Sequence, residues 1–217
     1  MSKYENLNSN KQKLDINSTL IEGEQVIWSG MPKKSAFIIN RILTMLPFAL
    51  IWLLFDSFII MIIFSDESST EMLKFIIPFL AFHLMPVWIW LANVISAKKI
   101  WENTQYAVTD KRIIIQSGFI GMNYQTIYYK DIKNVHLRVG MIDKLLGVGD
   151  LCFDTNIRVN NVNTIGGSQA FLDIENAYEL YPKLQKVVLD IQTDIEYPNN
   201  LRPEENDGYN TKYNGKI

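Results

Sequence analysis

Apolar residues along this chain gather in two long stretches, Ile42 to Phe64 and Met72 to Ile95, and elsewhere fall into short alternating runs. A hydrocarbon core takes roughly 20 apolar residues at about 1.5 Å rise each, so each stretch predicts a transmembrane helix, 42–64 and 72–95. The connector, 65–71, carries Asp66, Glu67 and Glu71 and no base, whereas Lys33, Lys34 and Arg41 precede the first stretch and Lys98 and Lys99 follow the second. Lys and Arg accumulate on the inner side of a membrane, so the expected topology is a multi-pass cell-membrane hairpin with an extracytoplasmic turn and both termini cytoplasmic. Trp88, Trp90 and Trp101 crowd the inner end of the second stretch, the headgroup level at which such rings sit. The first forty residues have no apolar core behind a basic start, so no cleavable signal peptide is expected.

The short runs predict strands. Before the hairpin, Val26 and Trp28 alternate with Gln25, Ile27 and Ser29 between Gly23 and Gly30, and the segment 18–32 is expected to return and pair with strands beyond Lys99. After it, Gln105 to Thr109 and Arg112 to Gln116 flank a turn at Asp110 and Lys111. Further strands are expected at Gln125 to Tyr129, Ile132 to Val139, Asp150 to Thr155, near Arg158 to Val162, and at Ala170 to Ile174. Met141 to Leu146, between Gly140 and Gly147, suits one helical turn, and the loop from Asn160 to Ser168 suits a hairpin tip. Asn176 is placed to cap a final helix with an apolar stripe of Ala177, Leu180, Leu184, Val187, Val188 and Ile191, kinked or interrupted at Pro182. About seven strands and one helix predict a partly open small β-barrel over 100–194, capped by that helix. The polar tails 1–17 and 195–217 offer too little apolar surface to order themselves. The whole is an α+β membrane protein.

Composition narrows the function classes. Hydrophobic content of 48% averages two greasy helices with an ordinary polar remainder, and a net charge of −2 argues against a nucleic-acid partner. From Asn103 to Asp194, nine Lys or Arg face ten Asp or Glu, so an anion site there must be local. The single cysteine, Cys152, rules out an intramolecular disulfide and suits a reducing compartment.

Several phrases carry a resemblance: GEQVIWSGMP, YAVTDKRIIIQSG, IYYKDIKNVHL and LLGVGDLCFDT, in this order over Leu20 to Asp194. They resemble the bacterial pleckstrin-homology-like (PH-like) domain of YdbS-like membrane proteins, a family long described as a domain of unknown function. The resemblance implies a PH-like fold on the cytoplasmic face. It brings with it no catalytic chemistry, no cofactor and no agreed site residues.

Candidate chemistry is sparse. Gly147-Val148-Gly149-Asp150 looks like a phosphate loop, but it precedes a strand instead of opening a helix and reads as a turn. Cys152 with His136 and Asp154 suggests a nucleophile, yet it sits inside an alternating strand and reads as a buried small residue. Two histidines in all leave a metal site without ligands, so the chain is expected to be no enzyme and to need no cofactor. Lys111, Arg112, Lys130, Lys133, Arg138 and Lys144, with Lys98 and Lys99, are candidate contacts to an anionic lipid surface or to a protein, or simply solvated charges. Asp56 and His83 are the intramembrane polar pair, about 12 and 16 Å from the outer helix ends, close enough in depth to meet. They fix the hairpin's rotation, hold a proton in lipid, or serve conduction in an oligomer. These features predict a membrane-tethered binding or assembly module, with the lipid bilayer and a second copy or another membrane protein as partners. The alternative is a subunit of a membrane transport or envelope-stress complex built on Asp56 and His83.

Overall fold

The computed structural model describes residues 16–65, 70–155, 164–165 and 168–196. The expected strand at 158–162, the stretch 66–69 of the connector, most of the hairpin tip at 160–168, and the tails 1–15 and 197–217 lie outside them. The chain divides into two compact units: 33–102, whose described residues are mostly helical, and a second made of the flanking segments on both sides.

In the helical unit, α1 (Lys34–Ser65) runs through Pro47, and two further helices follow, α2 (Thr70–His83) and α3 (Met85–Glu102). Among the described residues, Lys34–Ile62 is long and apolar enough to cross a membrane by itself; Lys74–His83 and Met85–Glu102 are so only together, bent by 50°. The second apolar stretch, expected as one helix over 72–95, is therefore broken at Leu84. Pro86 is the cause: it has no N–H to give the carbonyl of Phe82, and its ring crowds that turn. Val87 N–H turns back to the Leu84 carbonyl at 2.9 Å. The carbonyl of His83 accepts instead from the Trp52 indole, 2.7 Å away on α1.

In the other unit the β-rich segments form two four-stranded sheets. Sheet 1 holds β1 (Val26–Gly30), β2 (Gln105–Thr109), β3 (Arg112–Ser117) and β4 (Asn123–Tyr128) in that order, all antiparallel. β1 pairs with β2, from which it is separated in sequence by the whole helical unit. The ladder carries an extra residue between Val26 and Trp28. That bulge interrupts the simple alternation expected here: Ile27 is buried in the core, and Trp28 packs against it as well. A 3-10 turn over Ile16–Thr19 brings Ile16 and Leu20 onto Ala107 and Ile114, covering the outer face of β2 and β3. Ile16 and Asn17, expected in the N-terminal tail, belong to this turn, and burying Ile16 contributes about 2 kcal/mol.

Sheet 2 holds β5 (Ile132–Arg138), β6 (Val148–Thr155), β8 (Ser168–Glu175) and the two-residue β7 (Thr164–Ile165), in that order. The short α4 (Met141–Leu146) joins β5 to β6 and ends at Gly147, whose φ of 68° favours glycine. The final helix, α5 (Ala177–Glu196), is one element running through Pro182 and two residues into the expected C-terminal tail. The carbonyl of Asn176 accepts from Glu179 and Leu180 at its start.

The two sheets do not close into the expected barrel. β4 passes through a 3-10 turn, Tyr129–Asp131, into a strand of the other sheet, so no ladder joins β4 to β5. The sheets share one core instead: Tyr106 stacks on Phe171 at 4.6 Å, Trp28 on Phe171 at 5.6 Å, and Leu180, Leu184, Val187, Val188 and Ile191 of α5 complete it. α5 also satisfies the open edge. Gln192 Nε2 donates to the carbonyls of Tyr129 and Ile132, both at 2.8 Å, and the Tyr181 hydroxyl donates to that of Val135 at 3.2 Å. A helix that caps edge carbonyls removes the need for closure.

The LGVGD turn meets α5 closely: a Cβ on Gly149 would lie 3.0 Å from Ala177 Cβ and from Leu137 Cδ1. Gly149→Ala is expected to destabilise the domain by about 1–3 kcal/mol in urea unfolding of the full chain. Gly121→Ala, whose added Cβ meets nothing within 4 Å, should leave the midpoint unchanged.

Candidate functional site

The structure brings Asp56 and His83 together. Asp56 lies on α1 and His83 ends α2, and Oδ1 and Nδ1 are 2.7 Å apart. Three rings surround the imidazole: Trp52 and Phe79 at 5.1 Å and Phe55 at 6.1 Å. Asp56 is 1% exposed, and its second oxygen, Oδ2, has no hydrogen-bond partner among the described residues. The same helices are bound elsewhere by Arg41 donating to Asn93 at 3.0 Å and by the Trp90 indole donating to the carbonyl of Ile42 at 2.9 Å. Asp56 and His83 thus belong to a series of polar contacts that link α1 to α2 and α3.

The Thr109-Asp110-Lys111-Arg112 turn between β2 and β3 is a structural lock. Glu24, just before β1, reaches into it: the Arg112 guanidinium grips its carboxylate with Nε at 3.0 Å and Nη2 at 3.1 Å. The Thr109 hydroxyl and the Ile21 N–H each donate to the same carboxylate at 2.7 Å. Burial works against the charge on Glu24, but these donors and the guanidinium outweigh it and hold its carboxyl below the usual range. Arg112 also donates to the Thr19 carbonyl at 2.6 Å, Gln25 N–H to Asp110 at 2.8 Å, and the buried Tyr129 hydroxyl to the Thr109 carbonyl. Sequence reasoning did not pair Glu24 with Arg112, 88 residues apart; the one local signal was an acid directly ahead of a strand.

The other bases are scattered. Lys98 and Lys99 are exposed near the end of α3. Lys111 is exposed and donates to the Glu22 carbonyl at 3.2 Å. Lys130, in the 3-10 turn, lies toward the same end of sheet 1, since Arg112 faces Tyr128 across the ladder. Lys133 and Arg138 are exposed near opposite ends of β5, and Lys144 is exposed on α4. Within the β-rich unit, Lys111 and Lys130 lie at one end of sheet 1, apart from Arg138 at the far end of β5.

Along the middle of sheet 2, His136 faces Cys152 across the ladder and lies 3.2 Å from Asp154. The order resembles a nucleophile, base and orienting acid, but Cys152 is fully buried and its thiol is pushed up to about 12 by burial and by Asp150. The Asp154 carboxylate is held below its usual range by the Ser168 hydroxyl first, then by Asn134 and His136. Among the described residues no group of three His, Cys, Asp or Glu is placed to hold a metal ion. Asp150 plays a structural part. At the irregularity between Gly149 and Leu151 it accepts the Asp173 N–H at 2.9 Å. That bond matters because Asp173 has a φ of 54°, which a residue with a side chain rarely adopts.

The model of the bacterial PH domain family matches residues 42–188, from inside α1 to within α5. The chain belongs to the bacterial PH domain family. No curated protein and no solved structure matches it. The matched span includes both apolar stretches as well as β2 to β8, and leaves Glu24 and β1 outside.

Burial raises the Asp150 carboxyl from 3.8 to about 6, against the pull of the Asp173 N–H and with the help of Asp143. The folded chain therefore holds this proton more tightly than the unfolded one, and the group's contribution to stability falls as pH rises from about 4 to about 6. Asp150→Asn keeps an acceptor for Asp173 and removes the titration. Between pH 4 and pH 7 the parent protein is expected to lose about 2 kcal/mol relative to this variant, read from urea unfolding at each pH.

Proposed function

We propose that this bacterial PH domain protein is a membrane-tethered binding or assembly module, held at the cytoplasmic face of a cell membrane by α1 to α3, and that it engages a partner instead of catalysing a reaction. The observation that carries this reading is an apolar helical insertion placed between two hydrogen-bonded neighbours of one sheet, β1 and β2. Only 11% of the most apolar window of α1 is buried, and Leu54, Phe58, Met61, Phe75, Phe79 and Phe82 are exposed around the helices. A helix buried in a soluble core hides such side chains; a bilayer accommodates them. The charges supply the orientation, with bases at both inner ends and acids in the connector. The buried state of Cys152 and the structural parts played by Arg112 and Asp150 support a non-catalytic role.

A second reading, a subunit of a membrane transport or envelope-stress complex, is favoured by one observation: the buried, unpartnered Oδ2 of Asp56. A carboxylate oxygen at that depth calls for a donor from a neighbour. In the tether reading, Asp56→Asn with His83→Gln leaves partner recruitment intact and affects only helix packing.

Topology tests the first reading. In a Cys152→Ser background, Ser68→Cys is expected to react with an impermeant maleimide in intact cells, and Lys130→Cys only after permeabilisation. The opposite labelling would overturn the cytoplasmic placement, and labelling of both in intact cells would overturn the spanning hairpin.

A further inference from the structure

Sheet 1 has a polar end and an apolar end. At the apolar end β1 finishes, with Gly30 opposite Tyr106, and β2 begins. Only Met31, Pro32 and Lys33 separate β1 from α1, and only Asn103 and Thr104 separate α3 from β2. β3 returns to this end, where Gln116 faces Gln105 and Ser117 faces Asn123, and turns into β4. Asn103 Nδ2 donates to the Gly118 carbonyl at 3.0 Å, and Gln116 Nε2 to the Asn103 carbonyl at 3.3 Å, tying the turn to the point where the chain re-enters the domain. The turn closes tightly: a Cβ on Gly118 would lie 1.8 Å from the Gly121 carbonyl oxygen. It presents Phe119 and Ile120, 48% and 94% exposed, and Met31 is exposed at the same end. The opposite turn, Asp110 and Lys111, is polar and lies roughly 17 Å away along β3.

We propose that the 118–122 turn is a bilayer wedge, in which Phe119 and Ile120 enter the headgroup and acyl boundary of the membrane that the helices cross. This rests on the spanning reading above. Among the described residues, nothing in the domain covers Ile120 and Phe119 is only half covered, and both lie on a tight tip at the end of the sheet where the two chain connections lead directly into apolar helices. An interfacial element of this kind sits about 5–10 Å deep. The polar turn at the other end of the sheet is then directed at the cytoplasm.

The test uses the full chain in a Cys152→Ser background, reconstituted into phosphatidylglycerol and phosphatidylcholine vesicles, with a nitrobenzoxadiazole label at Ile120→Cys, Lys111→Cys or Phe58→Cys. The Ile120 label is expected to be quenched by nitroxide-labelled lipid and protected several-fold from iodide, with the reverse at Lys111. Adding Phe119→Glu to the Ile120→Cys protein should abolish the protection, while the melting temperature stays unchanged. If the Phe58 label lies in lipid but the Ile120 label behaves like that at Lys111, the wedge is overturned and the spanning reading stands. Iodide access at Phe58 would overturn both. A label at Ile120 shielded from both quenchers would put a protein on the turn and overturn the wedge.

Discussion

The pairing of β1 with β2 across the helical insertion is the constraint on which the rest depends. It makes residues on both sides of a 70-residue helical unit neighbours in one sheet, and the Glu24–Arg112 pair locks that junction from the strand's leading end. Breaking a buried pair by removing one partner costs about 3–5 kcal/mol, because the other charge is left stranded. Removing Arg112 would also release the Thr19 carbonyl of the N-terminal turn that carries Ile16, and removing Glu24 would release the Thr109 hydroxyl. The domain cannot complete its sheet until the helices have brought the chain back, so the fold of the polar unit and the placement of the apolar one are coupled through connectivity.

This constraint reassigns the family-like motifs. Thr109 to Arg112 looks like a charged surface loop, yet its arginine and threonine face inward to Glu24. Gly147 to Asp150 looks like an anion loop, yet Gly147 ends a helix, Gly149 admits Ala177, and Asp150 stabilises a strained Asp173. The most distinctive residues of both motifs thus serve the architecture of the domain.

Much of the architecture was legible because it is local. Period-two apolar patterns marked β2 and β5, a short β-branched run marked β3, a single stripe marked α5, and depth counting set Asp56 near the level of His83. What escaped depends on partners distant in sequence. The division into two sheets turns on a three-residue corner, Tyr129–Asp131, and on α5 glutamine and tyrosine side chains that cap carbonyls 46 to 63 residues away. The bulge at Ile27 arises from pairing with a strand beyond the helices, so alternation within Val26–Gly30 could not reveal it. The break at Leu84 is stabilised by Trp52 on another helix, a partner that the apolar run 72–95 does not disclose. Arg112 showed its charge in the sequence and kept its partner hidden.

The central claim, that one strand of the PH domain precedes the helical insertion and is integral to the fold, is tested most directly by amide hydrogen exchange on the full chain in bilayer nanodiscs. The amides of Val26–Gly30 are expected to exchange as slowly as those of β2 and β3. Exchange of β1 at the rate of unstructured chain, with β2 to β4 still protected, would contradict it.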